Sequence, residues 1–576
     1  MLRSPVSILP LWLAAIACWS VPFLVAPHTY PIPTFYSEFA AAVCWIALAV
    51  GVLGGTWGLN TGLPRIALAP LALAAVLIVQ LVVAPPLNPF FSCAASVFLL
   101  AAAAACGLGA RARSVPGMLE AIAIGVMLGG LLTVAVELLH LFRVPNLPAA
   151  FFSMTPPGTA RRMWGNLNQP NHVASYLAFG LAACLFLGQR FPRWRMALAA
   201  IGLSLLLGMA LTISRVTWLH VAVVGGTAGL AWSANERGIR RWIVACVPLL
   251  ALAVAYQCCG WLVSYANLLW HLDLPSSLGE RMQEGAGLRP LLWKHAWHMF
   301  RAHPWLGAGW GDYAWNQYVQ TDVLGPVEMS LNAHNIVLDL LAKAGLAGLL
   351  AVALPLLGLA WAAWKRSVTP ALAFLYAVIL VMGVHSMLEY PLHYLYFLLP
   401  FAFALGYADE RTLRMPSGPL AWVLTGTVTV CAGVLTARMW GDYASVERLY
   451  YLPADVQRDV WRQLIGERNV LIPYATLAAA SNANVTPETA RTMAVVERNA
   501  VQFYPGPNTV QRYALALAYE GKADEALVQV RRLYNHYWTS YADQSALLAQ
   551  ACGRQSEALK TFCVRLRSEG LLSNPN

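Results

Sequence analysis

His334 is the residue of this chain whose type and position most suggest chemistry. It lies in the run Ser330-Leu-Asn-Ala-His-Asn-Ile-Val-Leu-Asp-Leu-Leu, where a polar loop gives way to a long apolar segment. A neutral imidazole can accept a proton near neutral pH. The first N–H groups of the helix that follows would favour an anion. The pattern indicates chemistry on a lipid-linked phosphate at the membrane surface, and a polar helix cap without a chemical role is the alternative.

Arg215 is a candidate for binding an anionic group. It follows Ser214 at the beginning of an apolar segment, on the side of the membrane where arginine is disfavoured. Because the guanidinium fork matches the geometry of phosphate oxygens, this position indicates an anionic partner. An arginine that extends towards the lipid headgroups as an anchor is the alternative.

Arg289 begins an amphipathic stretch within a long loop. Helical periodicity places it on the apolar face, and the polar face opposite carries Lys294, His298 and Arg301. The apolar face is completed by Trp293, Ala296 and Phe300. A charge on the apolar face of an interfacial helix needs a partner, and a lipid diphosphate would serve. The histidines at 295, 298 and 303 have no acidic or cysteine ligand at suitable spacing, so no metal site is predicted.

A run of amides and basic residues precedes another apolar segment. It reads Arg161-Arg162-Met-Trp-Gly-Asn166-Leu-Asn168-Gln169-Pro170-Asn171-His172. Amide side chains are suited to binding sugar hydroxyls or phosphate oxygens. Since a helix cap would need one such residue and the run has several, binding is favoured over capping.

The connection that runs from His385 through Glu389 and Tyr390 to Tyr394 is also unusually polar for a turn between two apolar segments. Its alternative interpretation is an aromatic belt at the membrane surface, with Pro391 breaking the helix. Downstream of His334, Asp339 and Lys343 have the spacing and order of an intrahelical ion pair. We interpret that pair as mutual neutralisation, with a functional role as the alternative.

The elements that must position these residues are membrane helices. Of the 576 residues, 59% are hydrophobic and 11% charged, against about 25% charged in soluble proteins, and apolar segments of about 20 residues recur. The net charge of +11 lies mostly in short loops and does not indicate a nucleic-acid partner. We predict an all-α fold with about thirteen spans: 7–27, 36–58, 64–84, 90–108, 117–142, 169–188, 195–213, 215–233, 241–261, 334–362, 370–386, 393–408 and 418–437.

The basic residues of the short loops predict the orientation. Those near residues 3, 65, 111–113, 190–195, 237–241, 365–366 and 411–414 fall on one side of the alternating spans. This side is then cytoplasmic and holds the N-terminus, and the odd span count puts the tail outside. We therefore predict a membrane domain over 1–437, with external loops at about 143–168 and 262–333, and an external helical domain over 438–576. The first span is predicted to be a retained signal anchor.

The tail carries a short repeat. Gly521-x-x-x-Glu525-Ala526-Leu527 recurs 32 residues later as Gly553-x-x-x-Glu557-Ala558-Leu559, close to the 34-residue period of tetratricopeptide helix pairs. A protein-binding appendage of helical hairpins is the preferred prediction, and an unrelated helical cap is the alternative. Cys552 and Cys563 could form a disulfide if the tail is external, which the sequence does not decide.

The chain resembles the bacterial protein O-oligosaccharyltransferases, the pilin-glycosylating branch of the O-antigen ligase and polymerase superfamily. Asn166-Leu-Asn-Gln-Pro-Asn-His172 looks like a signature of that branch, and His334-Asn335-x-x-Leu338 looks like the catalytic histidine motif of the superfamily. The stretch from His385 to Tyr396 looks like a later signature. Arg289-x-x-x-Trp293 with the following His303-Pro304-Trp-Leu-Gly307 looks like the long external loop.

The resemblance implies a multispanning, GT-C-like glycosyltransferase of the bacterial inner membrane that works without metal or other cofactor on the periplasmic face. The donor would be an oligosaccharide on undecaprenyl diphosphate, and the acceptor a Ser or Thr hydroxyl of a pilin or another exported protein. At matching positions His334 would be the catalytic base. The donor-binding residues would be Arg215, Arg289, Gln169, Asn168, His172, Tyr390 and Asn335, with further contributions from Arg161, Arg162, Glu389 and His385.

Two other functions compete with this one. An O-antigen ligase or polymerase would share the donor site and differ in its acceptor, a lipid A core or a growing glycan. The helical tail and the 168–172 run favour a protein acceptor. A lipid-linked oligosaccharide flippase would need charged residues along a path open to both sides, whereas the polar clusters here converge on the predicted periplasmic side.

Overall fold

The computed structural model describes residues 8–55, 62–156, 161–275, 287–414, 419–554 and 556–572. It is mainly helical, as predicted. Within the described ranges, the strands are Leu63–Pro64 and Thr412–Leu413, which pair antiparallel with Leu63 opposite Leu413.

Apolar helices dominate the first three quarters of the chain. In chain order, α1 to α10 are Leu9–Cys18, Val21–Leu24, Phe35–Gly55, Leu68–Val83, Pro89–Ala112, Met118–Leu141, Pro170–Arg190, Arg195–Leu211, Thr217–Trp232 and Gly238–Trp270. They are followed by α11 to α16, which are Arg289–Ala302, Tyr313–Leu324, Ile336–Trp364, Pro370–Ser386, Leu395–Ala408 and Pro419–Tyr450. The tail forms α17 to α23, which are Ala454–Gly466, Ile472–Ser481, Ala490–Phe503, Pro507–Tyr519, Ala523–Tyr537, Tyr541–Gly553 and Lys560–Ser568.

Eight helical segments of the described chain are long and apolar enough to cross a membrane. They include α3, α5, α6, α7, α10 and α13, together with α4 and α8, each extended by the short 3-10 helix before it. Three shorter apolar helices are α1, α14 and α15. The chain is therefore a multispanning membrane protein, and the total of thirteen spans stays a prediction.

The chain folds into two compact units, each formed from separate stretches of sequence. The first consists of Met1–Ala72, Phe98–Gly285 and Ala351–Ala437, and the second of Leu73–Val97, Ala286–Leu350 and Arg438–Asn576. These discontinuous units differ in kind from the two continuous domains predicted over 1–437 and 438–576, and that division stays a prediction. Of the candidate site residues, Arg289, His334 and Asn335 belong to the second unit and the others to the first.

The first unit is built around α7, which is buried along most of its length and packs against α6, α8, α9 and α14. Small residues allow the close approach that membrane helices use to associate. Gly225 and Gly229 form such a pair on α9, since a Cβ at Gly229 would lie 2.0 Å from the carbonyl oxygen of Ala245 on α10. This packing fixes the ends of α7, α9 and α14, where the candidate residues lie.

In the second unit, tail helices α19, α20 and α21 pack against one another in sequence, and α12 joins their hydrophobic core through Tyr318. The Tyr318 hydroxyl donates to Gln529 Oε1 at 2.8 Å. Cys552 and Cys563 are paired in a disulfide, which answers the question that their spacing left open. Gly521 follows α20 and Gly553 ends α22, while the tetratricopeptide-like character of the tail stays a prediction.

Candidate active site

The N-terminus of α7 is capped by Gln169, whose Oε1 accepts the His172 N–H at 2.7 Å. Pro170 occupies the first helical position, where a missing N–H costs nothing. Asn168, just before the cap, is exposed and has a φ of +55°, a conformation that asparagine adopts more readily than most residues. Gln169 therefore caps a helix, although the number of amides in the run had favoured binding over capping.

Asn171 connects the three polar segments of the first unit. Its Oδ1 accepts Ser214 Oγ at 2.6 Å and Arg162 Nη2 at 3.3 Å, and its Nδ2 donates to Glu389 Oε1 at 3.2 Å. Ser214 directly precedes Arg215, so Asn171 ties the start of α7 to the chain at Arg215. Asn171 was not among the residues predicted to form the site, although its place within the amide run was the available signal.

The backbone beside Arg215 is strained. Ile213 has a φ of +45°, which is unusual for a β-branched residue and persists only where the surrounding structure imposes it. Arg162 Nε donates to the Thr212 carbonyl oxygen at 2.9 Å, which holds this turn from one side. Such outliers concentrate at functional sites, and this one sets the position of the half-buried Arg215.

His172 and His385 lie inside the helix bundle of the first unit. Their ring centroids are 5.4 Å apart, and the His385 Nδ1 lies 2.7 Å from Ser175 Oγ. The His172 ring also contacts Tyr394, at 5.0 Å between centroids. Tyr390 stacks obliquely beside Tyr394 at 5.9 Å, so the two predicted signatures, at 166–172 and 385–396, meet in one cluster.

Arg161 and Arg162 point to different surroundings although they are adjacent. Arg161 is buried, and its guanidinium donates to the carbonyl oxygens of Leu141 at 3.3 Å and Leu272 at 2.9 Å. Arg162 turns instead towards Thr212 and Asn171. A sequence pattern treats the two arginines alike, and only the fold separates their roles.

In the second unit, His334 has a φ of +52° and is half-buried. The residue that follows, Asn335, caps α13, since its Oδ1 accepts the N–H groups of Val337 and Leu338, each at 3.1 Å. An N-cap side chain satisfies donors that would otherwise bind water or an anion. The imidazole is therefore carried on a strained residue at the positive end of a helix dipole.

The predicted ion pair of Asp339 and Lys343 is confirmed, with 2.9 Å between Nζ and Oδ2 and both side chains almost fully buried. The pair also holds the chain before His334. Asp339 Oδ1 accepts the Ala333 N–H at 2.9 Å, and Lys343 Nζ donates to Asn332 Oδ1 at 2.5 Å. The pair thus supports the turn that presents the imidazole.

Helix α13 is broken at Gly345, which has φ +65° and ψ −162°. A Cβ there would lie 2.4 Å from the carbonyl carbon and oxygen of Trp305, so only glycine fits. The N–H groups beyond the break donate to the loop before α12, from Leu346 to the Pro304 oxygen at 2.9 Å and from Ala347 to the Trp305 oxygen at 3.1 Å. Irregular backbone within a membrane helix needs such partners.

Gln80 of α4 completes the support of this break. Its Nε2 donates to the carbonyl oxygens of Leu306 at 2.6 Å and Lys343 at 2.8 Å, and its Oε1 accepts the Trp310 N–H at 3.1 Å. Broken membrane helices with satisfied backbone commonly mark substrate sites. The short first half of α13, which carries the His334 turn, is therefore fixed at both ends.

Arg289 is the first residue of α11 and is half-buried. The predicted polar face of α11 is exposed, whereas the predicted apolar face is displaced: its buried residues are Leu292, His295, Ala296 and Met299. The displacement arises because Ala296 and Met299 pack against Ala333 and Ala342 of the same unit. Burial lowers the pKa of His295 to about 4. In the described part of the chain, no three His, Cys, Asp or Glu side chains are grouped to hold a metal ion.

Comparisons with known proteins match the chain in three consecutive stretches. A family model described as "Protein glycosylation ligase" matches residues 163–187, one described as "O-Antigen ligase" matches residues 200–353, and one described as "Virulence factor membrane-bound polymerase, C-terminal" matches residues 373–552. A general O-oligosaccharyltransferase of Acinetobacter baylyi is 26% identical over 69% of this chain and 70% of its own length. These matches support the family that the sequence motifs suggested, the protein O-oligosaccharyltransferases of the O-antigen ligase superfamily. The chain is a glycosyltransferase.

A second relative, a ComP-specific O-oligosaccharyltransferase of the same organism, is 24% identical over 44% of this chain and 45% of its own length. The three matched stretches contain the polar segments of this glycosyltransferase. Asn171 lies in the first, Arg215 and His334 in the second, and the turn from His385 to Tyr390 in the third. The comparisons bear out the resemblance that the motifs suggested, and the roles of individual residues stay predictions.

Proposed function

We propose that this glycosyltransferase moves an oligosaccharide en bloc from undecaprenyl diphosphate to Ser or Thr hydroxyls of a pilin or another periplasmic protein. The observation that carries the proposal is the His334 turn, where an imidazole on a strained, buttressed residue precedes the capped start of a broken membrane helix. Both relatives are named as O-oligosaccharyltransferases, which supports the oligosaccharide and the oxygen acceptor.

In the proposed reaction, His334 takes the proton of the acceptor hydroxyl, and the oxygen attacks the anomeric carbon. The bond from that carbon to the diphosphate breaks, and the diphosphate leaves with the electron pair. Arg215 and Arg289 stabilise the charge that grows on the leaving group. Attack opposite the diphosphate inverts the anomeric carbon. Neither a metal nor another cofactor takes part in this scheme.

The proposed donor site includes further residues. Gln169, Asn168, His172, Tyr390 and Asn335 would contact or shape the site for the donor. Arg161, Arg162, Glu389 and His385 would do so less directly. For Arg162 and Glu389 the support is their hydrogen bonds to Asn171.

For the location, we propose the bacterial inner membrane, with thirteen spans, a cytoplasmic N-terminus and both the reaction and the tetratricopeptide-like domain over 438–576 on the periplasmic side. The Cys552–Cys563 disulfide supports an oxidising compartment for the tail. The basic residues of the short loops support the same orientation.

The function is tested by reconstituting the protein with an undecaprenyl-diphosphate oligosaccharide, a pilin and a lipid A core acceptor in competition. We expect glycan on the pilin. Glycan only on the lipid would establish the alternative function, an O-antigen ligase. The observation in favour of that alternative is the match of residues 200–353 to the family model described as an O-antigen ligase.

The role of the imidazole is tested by His334→Ala. Transfer should fall by about 10² to 10⁴, the usual contribution of a general base. The matched control is His298→Ala, an exposed histidine of the same unit, which should keep its activity. Near-normal turnover of His334→Ala in a folded protein would remove His334 from the reaction.

A further inference from the structure

The first unit contains a cavity of about 820 Å³, and of its lining residues the proposed function includes only Arg161. It is lined by the loop that follows α6, including Asn146, Phe152 and Ser153, and by Asp273 beyond α10. Its volume lies within the range of small-molecule binding sites, about 300–1,000 Å³. The lining combines apolar side chains, among them Leu147 and Phe152, with amide, hydroxyl and charged groups that can bind the hydroxyls of a ligand.

The cavity contains a buried guanidinium with an available donor. Arg161 lines it, is only 4% exposed, and is held in place by carbonyl oxygens of the surrounding backbone. Its Nε is buried and has no hydrogen-bond partner among the described residues. A buried donor without a partner is costly, and a ligand oxygen in the cavity would satisfy it. At the mouth, Arg143 pairs with Asp273 at 2.5 Å, with both side chains partly exposed.

Three lining residues hold strained backbone conformations. Arg143, Asn146 and Asp273 have φ values of +49°, +58° and +55°, in the left-handed region that non-glycine residues seldom adopt. Asparagine and aspartate adopt this conformation more readily than most residues, so the clearest strain lies at Arg143, and strain of this kind clusters at ligand-binding sites.

The cavity adjoins the amide run. Ser153 of its wall donates through its N–H to Asn166 Oδ1 at 3.1 Å and through its hydroxyl to the Gly165 oxygen at 2.7 Å. Arg161 of the cavity precedes Arg162, which binds the Thr212 oxygen and Asn171. A ligand that extends from the Ser214–Arg215 turn along the amide run would therefore reach the cavity.

We propose that this cavity binds the sugars of the donor that lie beyond the one attached to the diphosphate. The inference rests on the proposed function, in which Arg215 contacts the diphosphate. An oligosaccharide is favoured over an acceptor peptide because peptides are usually recognised through a free strand edge or a continuous apolar groove. In this cavity the apolar lining is interrupted by side-chain donors and acceptors carried on irregular loops.

The test compares two donors, undecaprenyl diphosphate carrying one sugar and the same lipid carrying a trisaccharide. Arg143→Ala removes a donor at the mouth, and Ala149→Trp fills the cavity from an exposed lining position. Arg143→Ala should lose about tenfold in kcat/KM for the trisaccharide donor, the effect expected for one hydrogen bond to a charged group. Ala149→Trp should lose at least about tenfold, because the indole takes the space of the sugars. Transfer of the single sugar should change less than about twofold.

The matched control is Arg190→Ala, which breaks an ion pair with Glu120 of similar exposure elsewhere in the first unit. It should leave both donors unaffected. Equal losses for both donors, a rise confined to the KM of the acceptor protein, or unchanged trisaccharide transfer would each overturn the proposal.

A direct binding measurement separates this proposal from the proposed function. The free trisaccharide should bind the purified protein and lose affinity in Arg143→Ala and Ala149→Trp, whatever the acceptor of the enzyme is. If wild type glycosylates no protein but still binds the trisaccharide in this way, the proposed function fails and the cavity assignment stands. If the free trisaccharide binds all variants equally, the cavity assignment fails.

Discussion

Removing one partner of the Asp339–Lys343 pair should destabilise the protein strongly. The two side chains are 3% and 4% exposed, so Asp339→Ala would leave the Lys343 ammonium buried, with the neutral Asn332 amide as a side-chain acceptor in place of a carboxylate. Breaking a buried pair in this way typically costs about 3–5 kcal/mol. The free energy of unfolding in detergent, measured by thermal or denaturant unfolding, should fall by an amount of this order.

Replacing both partners separates the stability of the pair from its effect on His334. In Asp339→Leu/Lys343→Met no charge remains buried, and such replacements are often neutral. The remaining cost is the loss of a partner for the Ala333 N–H and for Asn332 Oδ1, about 1–3 kcal/mol for each buried group; Asp339→Ala loses the first of these as well. The double variant should therefore be more stable than Asp339→Ala. Its kcat should still fall, by about 10- to 100-fold, because misplacement by about 1 Å has effects of this size.

The matched control is Arg438→Ala in the same unit, which breaks a more exposed pair of the same spacing with Asp442. It should cost no more than about 1 kcal/mol. The reasoning is refuted if the double variant is as unstable as Asp339→Ala, since burial of a lone charge would then not be the cause. It is refuted equally if the double variant keeps full kcat, since the pair would then not position the imidazole.

Three further predictions concern other parts of the fold. Gly345→Ala should reduce the folded yield and the thermal stability, because the new Cβ would lie 2.4 Å from backbone atoms of Trp305. The control Gly433→Ala, where no heavy atom lies within 4 Å of the new Cβ, should reduce neither. If Gly345→Ala is as stable as wild type, the break in α13 is not required. Asn171→Ala should raise the KM for the donor about tenfold through the loss of three hydrogen bonds; donor kinetics equal to wild type would show that Asn171 does not position Arg215. Burial lowers the pKa of His536 to about 4, so the stability it contributes is present above its ordinary pKa near 6.5 and is lost as the pH falls towards 4. The loss of thermal stability between pH 7 and pH 5 should be smaller in His536→Gln, and an identical loss in both proteins would contradict the assignment.

Local patterns in the sequence were sufficient for what depends on local chemistry. The low share of charged residues and the apolar segments identified a helical membrane protein, because a helix bonds most of its backbone groups within itself, as the bilayer requires. The Asp339–Lys343 pair was predictable since residues four apart on a helix are neighbours whatever the rest of the fold does. The exposed face of α11 was predictable from the same periodicity.

Contacts between distant segments were decided only by the tertiary structure. Asn171 connects residues 43 and 218 positions away, and nothing in its own neighbourhood distinguishes it from the other amides of the run. Packing between distant segments decides three other features in the same way. These are the different surroundings of Arg161 and Arg162, the displaced buried face of α11 and the Cys552–Cys563 disulfide. The break in α13 at Gly345 is also decided by the tertiary structure. A glycine in an apolar segment is compatible with a continuous helix, and the break is determined only by the packing of the loop 304–307 against it. Sequence periodicity identifies which side chains a helix presents to each side, but burial and hydrogen bonding are decided by the partner that packs there.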